Sequence, residues 1–328
     1  MLTSKEETLI ASWQETLSCD IPITCRVSRD ERSDVFRSFC EALSHLAPAV
    51  SVTYDKDDGE DLPGIEVRER LVYHAVPHGL ELAPFLDLLS SMISAPLPLP
   101  EAVVSRLEQL HTPSPLTLFI SPECPFCPQS VKDLVLLPLT NPWIDLKIVD
   151  GTLFPELAEA SDVQATPTLV YDGRVRWTGH VPVEEIMEVV LNQDPSLLSA
   201  TAMEGLLGEG KADFLAEMMI EEGRLFPALY ELLTHDKWPV RLGAMVAMEE
   251  IAEHDPNLAR DAVPVLLERF SGLNETVQGD VLYILGQAGN RDILPWLKTV
   301  LSGPSGADVK EAAKEAMDAI LAKGNRTK

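Results

Sequence analysis

Basic residues are scarce in this 328-residue chain: 26 Lys and Arg stand against 52 Asp and Glu, a formal net charge of -26. Such a surface repels phosphates and anionic headgroups, which excludes nucleic acid and membrane surfaces as partners. Its general effect is solubility, with a specific acidic docking face as the alternative reading. Long apolar runs are also missing, and none nears the roughly 20 residues of a membrane-crossing helix. The opening residues Met1-Leu2-Thr3-Ser4-Lys5-Glu6-Glu7 lack the basic-then-apolar pattern of a secretion signal, so the cytoplasm is the expected compartment. Five cysteines are too few to staple a chain of this length. The seven histidines are scattered and offer no second ligand pair at metal-binding spacing, so no metal is expected. No Gly-x-Gly-x-x-Gly appears, and with it goes any expectation of a flavin or nicotinamide site.

Against this background one cysteine pair stands out. Cys124-Pro125-Phe126-Cys127 follows the apolar run Leu116-Thr117-Leu118-Phe119-Ile120, which reads as a strand running into a helix. Residues three apart share a helix face, so the two sulfurs are within reach of a disulfide. A helix N-terminus favours thiolate over thiol at the leading sulfur, and a thiolate is what attacks in disulfide exchange. Cys124 is therefore the expected nucleophile and Cys127 the resolving thiol, with Pro125 and Phe126 shaping the turn. Glu123 opposes the thiolate, so only a moderate lowering at Cys124 is expected. Cys25 and Cys40 fall among apolar residues and read as buried thiols; a Cys19–Cys25 pair is the weaker alternative. His74, His78 and His180 read as surface or internally satisfied histidines.

Length alone implies two or three domains. Residues 1–95 read as α-β-α-β-β-β-α. Helices are expected over Leu9–Leu17, Asp30–Leu46 and Gly79–Ile93; Val35, Phe36, Phe39, Leu43 and Leu46 sit at helical spacing in the second. Asp55 to Gly59 reads as a turn, and the proline-rich stretch from Ala95 to Pro100 as a stiff linker. Residues 96–197 read as α-β-α-β-α-β-β-α, with the helix after Cys127 running on through Val131, Leu134 and Leu136. Residues 198–328 read as helices only. There Asp236-Lys237-Trp238-Pro239-Val240-Arg241 opens a long helix, and Val277 and Val309 recur at a helical-hairpin period. This Asp-x-x-x-Val-Arg pattern resembles HEAT-type repeats, although Gln278 and Lys310 replace the arginine in the later copies.

Thr166-Pro167 lies some 40 residues after the dithiol and before a hairpin. That combination resembles thioredoxin-like folds, in which a cis-proline faces the dithiol and the residue before it pairs with an extended substrate. Together with Cys124-Pro125-Phe126-Cys127-Pro128, Val149-Asp150-Gly151 and Ala165-Thr166-Pro167-Thr168, it makes residues 1–195 resemble the tandem thioredoxin-fold N-terminal domain of the flavoprotein subunit of alkyl hydroperoxide reductase. They are also similar to two-unit protein disulfide oxidoreductases. The fold class so implied is α/β tandem thioredoxin-like (glutaredoxin-like) units plus an all-α HEAT-like helical-repeat domain. The resemblance implies a thiol–disulfide oxidoreductase relaying electrons from a flavin-linked disulfide reductase to a protein disulfide or peroxiredoxin. The redox-active disulfide would be its only cofactor, and the repeats would dock a protein partner. Thioredoxin's buried Asp is replaced by Leu118. Within Pro77-His78-Gly79-Leu80-Glu81-Leu82, which resembles the flavoprotein's segment, Glu81 is implied as the replacement base. A non-catalytic scaffold with a redox-sensing dithiol, and a disulfide isomerase or chaperone, are the competing readings.

Overall fold

A computed structural model describes residues 2–56, 62–93 and 99–326. The expected turn around Asp57–Gly59 and most of the proline-rich stretch lie outside the described residues. The chain divides into two compact units, Met1–Gln193 and Asp194–Lys328.

The first half of unit one comprises α1 (Ser4–Gln14), β1 (Ile21–Val27), α2 (Ser33–Leu46), β2 (Val50–Lys56), β3 (Gly64–Arg68), β4 (Leu71–His74), a 3-10 turn (Gly79–Glu81) and α3 (Leu82–Ile93). The second comprises α4 (Glu101–Leu107), β5 (Ser114–Ile120), α5 (Cys127–Leu134), α6 (Leu136–Thr140), β6 (Ile144–Asp150), α7 (Pro155–Ala160), β7 (Thr168–Tyr171), β8 (Val175–Thr178) and α8 (Val183–Asn192). The first half follows the order of elements that the sequence pattern implies, and the second follows it except for the added helix α6. All eight strands form one sheet in the order β2-β1-β3-β4-β6-β5-β7-β8. The halves meet at β4 and β6, which pair in parallel from Leu71↔Leu146 to His74↔Val149. Strand β4 at this seam is buried throughout, while β1, β5 and β6 alternate buried apolar residues with more exposed ones.

Several details depart from the expected ones. Helix α1 begins at Ser4 rather than Leu9, because Thr3 and Glu6 form a reciprocal capping box. The helix after the dithiol ends at Leu134 and restarts at Leu136, so Val135 is a junction between α5 and α6. Val35 faces outward on α2, whose buried face is Phe36, Phe39, Cys40 and Leu43.

Arg32 fastens the two halves at one point. Its guanidinium lies 4.0 Å over the Phe154 ring, donates to the Leu153 carbonyl at 3.0 Å, and pairs with Asp30 and Glu156. A cation stacked on an aromatic face in a partly buried setting contributes on the order of 1 kcal/mol beyond its hydrogen bonds.

Among the described residues unit two is helical throughout. It comprises α9 (Ala200–Gly208), α10 (Ala212–Glu222), α11 (Leu229–Leu232), α12 (Trp238–His254), α13 (Pro256–Arg260), α14 (Ala262–Arg269), α15 (Glu275–Ala288), α16 (Leu294–Ser302) and α17 (Ala307–Arg326). The long helices α12, α15 and α17 pack side by side in chain order, an arrangement consistent with helical repeats. Arg241 is buried at the start of this stack. It bonds Asp280 of α15 through Nε and Nη2, both at 2.8 Å, and donates from Nη1 to the His235 and Asp236 carbonyls. Gln278 makes a lesser version of that contact in the next copy, donating to the Phe270 carbonyl at 3.1 Å. Helices α15 and α17 approach closely because Gly286 lacks a side chain: a Cβ there would stand 3.0 Å from the Ala316 Cα.

Candidate redox site

Strand β5 is buried at its last three residues and delivers the chain to the turn Ser121–Phe126. The Cys124 amide donates to the Ser121 carbonyl at 3.0 Å, which curls the turn. Cys127 is the first residue of α5, with Pro128 next to it, where a missing N–H costs nothing. The leading sulfur thus lies before the helix and the second within its first turn. Cys124 is 9% exposed and Cys127 fully buried, whereas Pro125 and Phe126 between them face solvent.

Thr166 meets the dithiol directly. The Cys124 thiol donates to the Thr166 carbonyl at 3.3 Å, and the Thr166–Pro167 peptide is cis. Pro167 is buried behind it, and its carbonyl accepts from the Gly179 amide at 2.8 Å. Burial, together with a hydrogen bond to Cys124, pushes the Cys127 thiol up to about 12; hydrogen bonds with Ser121 and Thr166 oppose this. Cys127 is thus held as a protonated thiol at neutral pH and must lose a proton to react.

Glu81 is 3% exposed, and neither carboxylate oxygen has a hydrogen-bond partner among the described residues. Burial raises it to about 7. The 3-10 turn that carries it packs against α5, the helix that Cys127 opens, and an added Cβ at Gly79 would stand 3.8 Å from the Pro122 carbonyl of the dithiol turn. The structure therefore brings Cys124, Cys127, Thr166 and Pro167 together, sets Pro125 and Phe126 on the exposed rim, and places Glu81 against the same helix from the other half. Leu118 is buried in β5, so that position offers no proton acceptor.

Two residues that sequence reasoning passed over bear on Glu81. Glu6 accepts from the Gly79 amide at 2.7 Å and so pins the 3-10 turn. Burial alone would raise Glu6, but hydrogen bonds from Gly79 and Thr3 outweigh it and lower the carboxyl to about 2. The Thr3–Glu6 spacing announces a helix cap; nothing in it announces Gly79. Tyr73 is fully buried; its phenol is pushed well up by burial and by the Glu81 charge.

The other thiols sort differently from the Cys19–Cys25 alternative. Cys19 is exposed, while Cys25 on β1 and Cys40 on α2 are both buried and close enough to shift each other, Cys25 down and Cys40 up. His180 pairs with Asp133 at 2.8 Å, and His74 is buried with Nδ1 2.9 Å from the Pro63 carbonyl. Among the described residues, no group of three His, Cys, Asp or Glu could hold a metal ion, and no helix is long and apolar enough to cross a membrane.

This fold and dithiol define a thioredoxin-like domain, and a family model described as a thioredoxin domain matches residues 116–192. Among solved structures, the N-terminal domain of an alkylhydroperoxide reductase AhpF from Enterococcus faecalis superposes with a TM-score of 0.52 at 19% identity, covering 58% of this chain and 100% of that one. A protein disulfide oxidoreductase from Aeropyrum pernix superposes with a TM-score of 0.54 at 14% identity, covering 59% of this chain and 94% of the other. Curated relatives include an alkyl hydroperoxide reductase protein from Pseudomonas aeruginosa, 23% identical over 57% of this chain and 37% of its own length. An NADH dehydrogenase from Ferdinandcohnia aciditolerans is 25% identical over 51% of this chain and 33% of its own. The chain thus spans about a third of the length of these two relatives.

Proposed function

We propose that the protein is a thiol–disulfide oxidoreductase that passes electron pairs between a flavin-linked disulfide reductase and a protein disulfide, such as that of a peroxiredoxin. The observation that carries this reading is the Cys124 sulfur at the Thr166 carbonyl with Cys127 buried behind it. In the reducing direction, the Cys124 thiolate attacks one sulfur of the substrate disulfide. That S–S bond breaks, and the departing sulfur takes up a proton. Cys127 loses its proton and attacks the Cys124 sulfur, releasing the second substrate thiol. The substrate gains two electrons and two protons, and the chain is left with a Cys124–Cys127 disulfide for the reductase to reduce.

Glu81 receives the Cys127 proton in this scheme. Its ionisation near neutrality suits a group that must both accept and return a proton. Thr166 and Pro167 form the wall for the substrate chain, and the exposed Pro125 and Phe126 form the contact rim. The chain needs no bound flavin, nicotinamide or metal of its own, and a reducing cytoplasm suits the dithiol. The helical unit docks a protein partner, since stacked helical repeats offer extended binding surfaces. The test is reduction of a protein disulfide by catalytic amounts of the chain, with a flavin-linked reductase and nicotinamide as donor. Multiple turnovers that vanish in Cys124→Ser are expected; a folded chain with no turnover would sink the reading.

A further inference from the structure

Trp238, Leu242 and Val246 follow one another at four-residue intervals on α12 and therefore line one face of it. Each is between 39% and 55% exposed. The opposite face of α12 fills the core with Ala244, Met248 and Ile251, so packing does not account for the outward stripe. The stripe continues onto the neighbouring helix. Tyr283 of α15, the helix packed against α12, is 44% exposed, and its phenol is raised by Glu249, which lies one turn beyond Val246 on α12. Past Tyr283, a groove of about 210 Å³ between α15 and α17 is lined by Gly279, Gly286, Ala316 and Ala319, with Glu315 among its walls.

Charge along this face has one sign. Glu249, Glu253 and Glu315 are exposed. The cations bordering it already have partners: Lys237 pairs with Glu204 at 3.3 Å, Arg241 is buried against Asp280, and Lys323 donates to the Gln287 carbonyl.

We propose that this face of the helical unit docks an amphipathic helix of a partner protein that carries Lys or Arg beside an apolar stripe. Its apolar side chains cover Trp238, Leu242 and Val246 and enter the small-residue groove, while its cations meet Glu249, Glu253 and Glu315. The inference rests on the docking role proposed for the helical unit and specifies what is docked; it does not involve the dithiol.

The test uses the full chain and two labelled synthetic helical peptides of one pattern, Leu/Lys and Leu/Glu, followed by fluorescence anisotropy. The Leu/Lys peptide should bind at least about tenfold more tightly, and the double variant Leu242→Asp/Val246→Asp should weaken it by about tenfold or more. The added negative charges would tighten any binding driven by charge alone, so unchanged or tighter binding by the double variant overturns the proposal. If circular dichroism shows that variant unfolded, Trp238→Ser and Leu242→Ser take its place, with severalfold weakening expected and no change overturning the face. Introduced into Cys127→Ser, the same variants separate this face from the docking role. A mixed-disulfide partner recovered undiminished, with peptide binding lost, tells against docking of the redox partner by the helical unit and leaves the face as a site for another helix.

Discussion

The Cys124 thiol points at the Thr166 carbonyl, 3.3 Å away, whereas Cys127 is sealed within the first turn of α5. This orders the two sulfurs. Iodoacetamide at pH 8 should alkylate Cys124 well before Cys127, whose thiol is pushed up to about 12. Peptide mass mapping over a time course reads the order, and labelling of Cys127 first would reverse the assigned roles.

The same asymmetry predicts which variant traps a substrate. Cys127→Ser should accumulate mixed disulfides through Cys124, and Cys124→Ser should accumulate none. Non-reducing gels with mass spectrometry give the answer; equal trapping by both variants would remove the distinction between attacking and resolving thiol.

Glu81 makes a pH prediction with a definite sign. Its folded-state value is about 7, above the usual 4.5, so the stability gained by burying it neutral is present below about pH 4.5 and is lost as the pH rises through 7. That difference amounts to about 3 kcal/mol by pH 8. Glu81→Gln should flatten the decline in urea midpoint between pH 4.5 and 8, and should also move the pH profile of dithiol oxidation. A profile that does not move would leave Glu81 a structural residue only.

Glu6 has the opposite sign. Its carboxyl is lowered to about 2, so its contribution is present above about pH 4.5 and is lost as the pH falls towards 2. Glu6→Gln should cost roughly 1–2 kcal/mol at pH 7 and little at pH 2.5. By loosening the Gly79 turn it should also admit water to Glu81 and draw that carboxyl back towards its ordinary range. Carboxyl titration by NMR checks this coupling.

In the helical unit, Arg241→Ala should cost about 3 kcal/mol, because it leaves Asp280 and two carbonyls of the turn before α12 without their donor. Gln278→Ala removes one neutral hydrogen bond and should cost about 1 kcal/mol. Thermal unfolding of the two variants should keep this ranking.

Much of this architecture is legible in the chain because its signals are local. Alternating apolar residues mark the strands, and the strand-to-helix position of Cys124 and Cys127 marks the dithiol. What sequence reasoning misses is set by distance. Nothing near Glu6 says that it holds Gly79, and nothing near Cys25 says that it faces Cys40. The break at Val135 is equally hidden, since Val131, Leu134 and Leu136 keep apolar character on either side of it. Val35 shows the converse error: an apolar residue beside a helix's buried face need not share it, and its neighbour Phe36 takes the core position.

The parallel pairing of β4 with β6 has a consequence for any attempt to shorten the protein. A fragment lacking the half without a CxxC motif would bare the amides and carbonyls of β6 along the edge that β4 now covers, inviting strands from other molecules. The half without a CxxC motif thus serves as a permanent edge guard for its reactive neighbour.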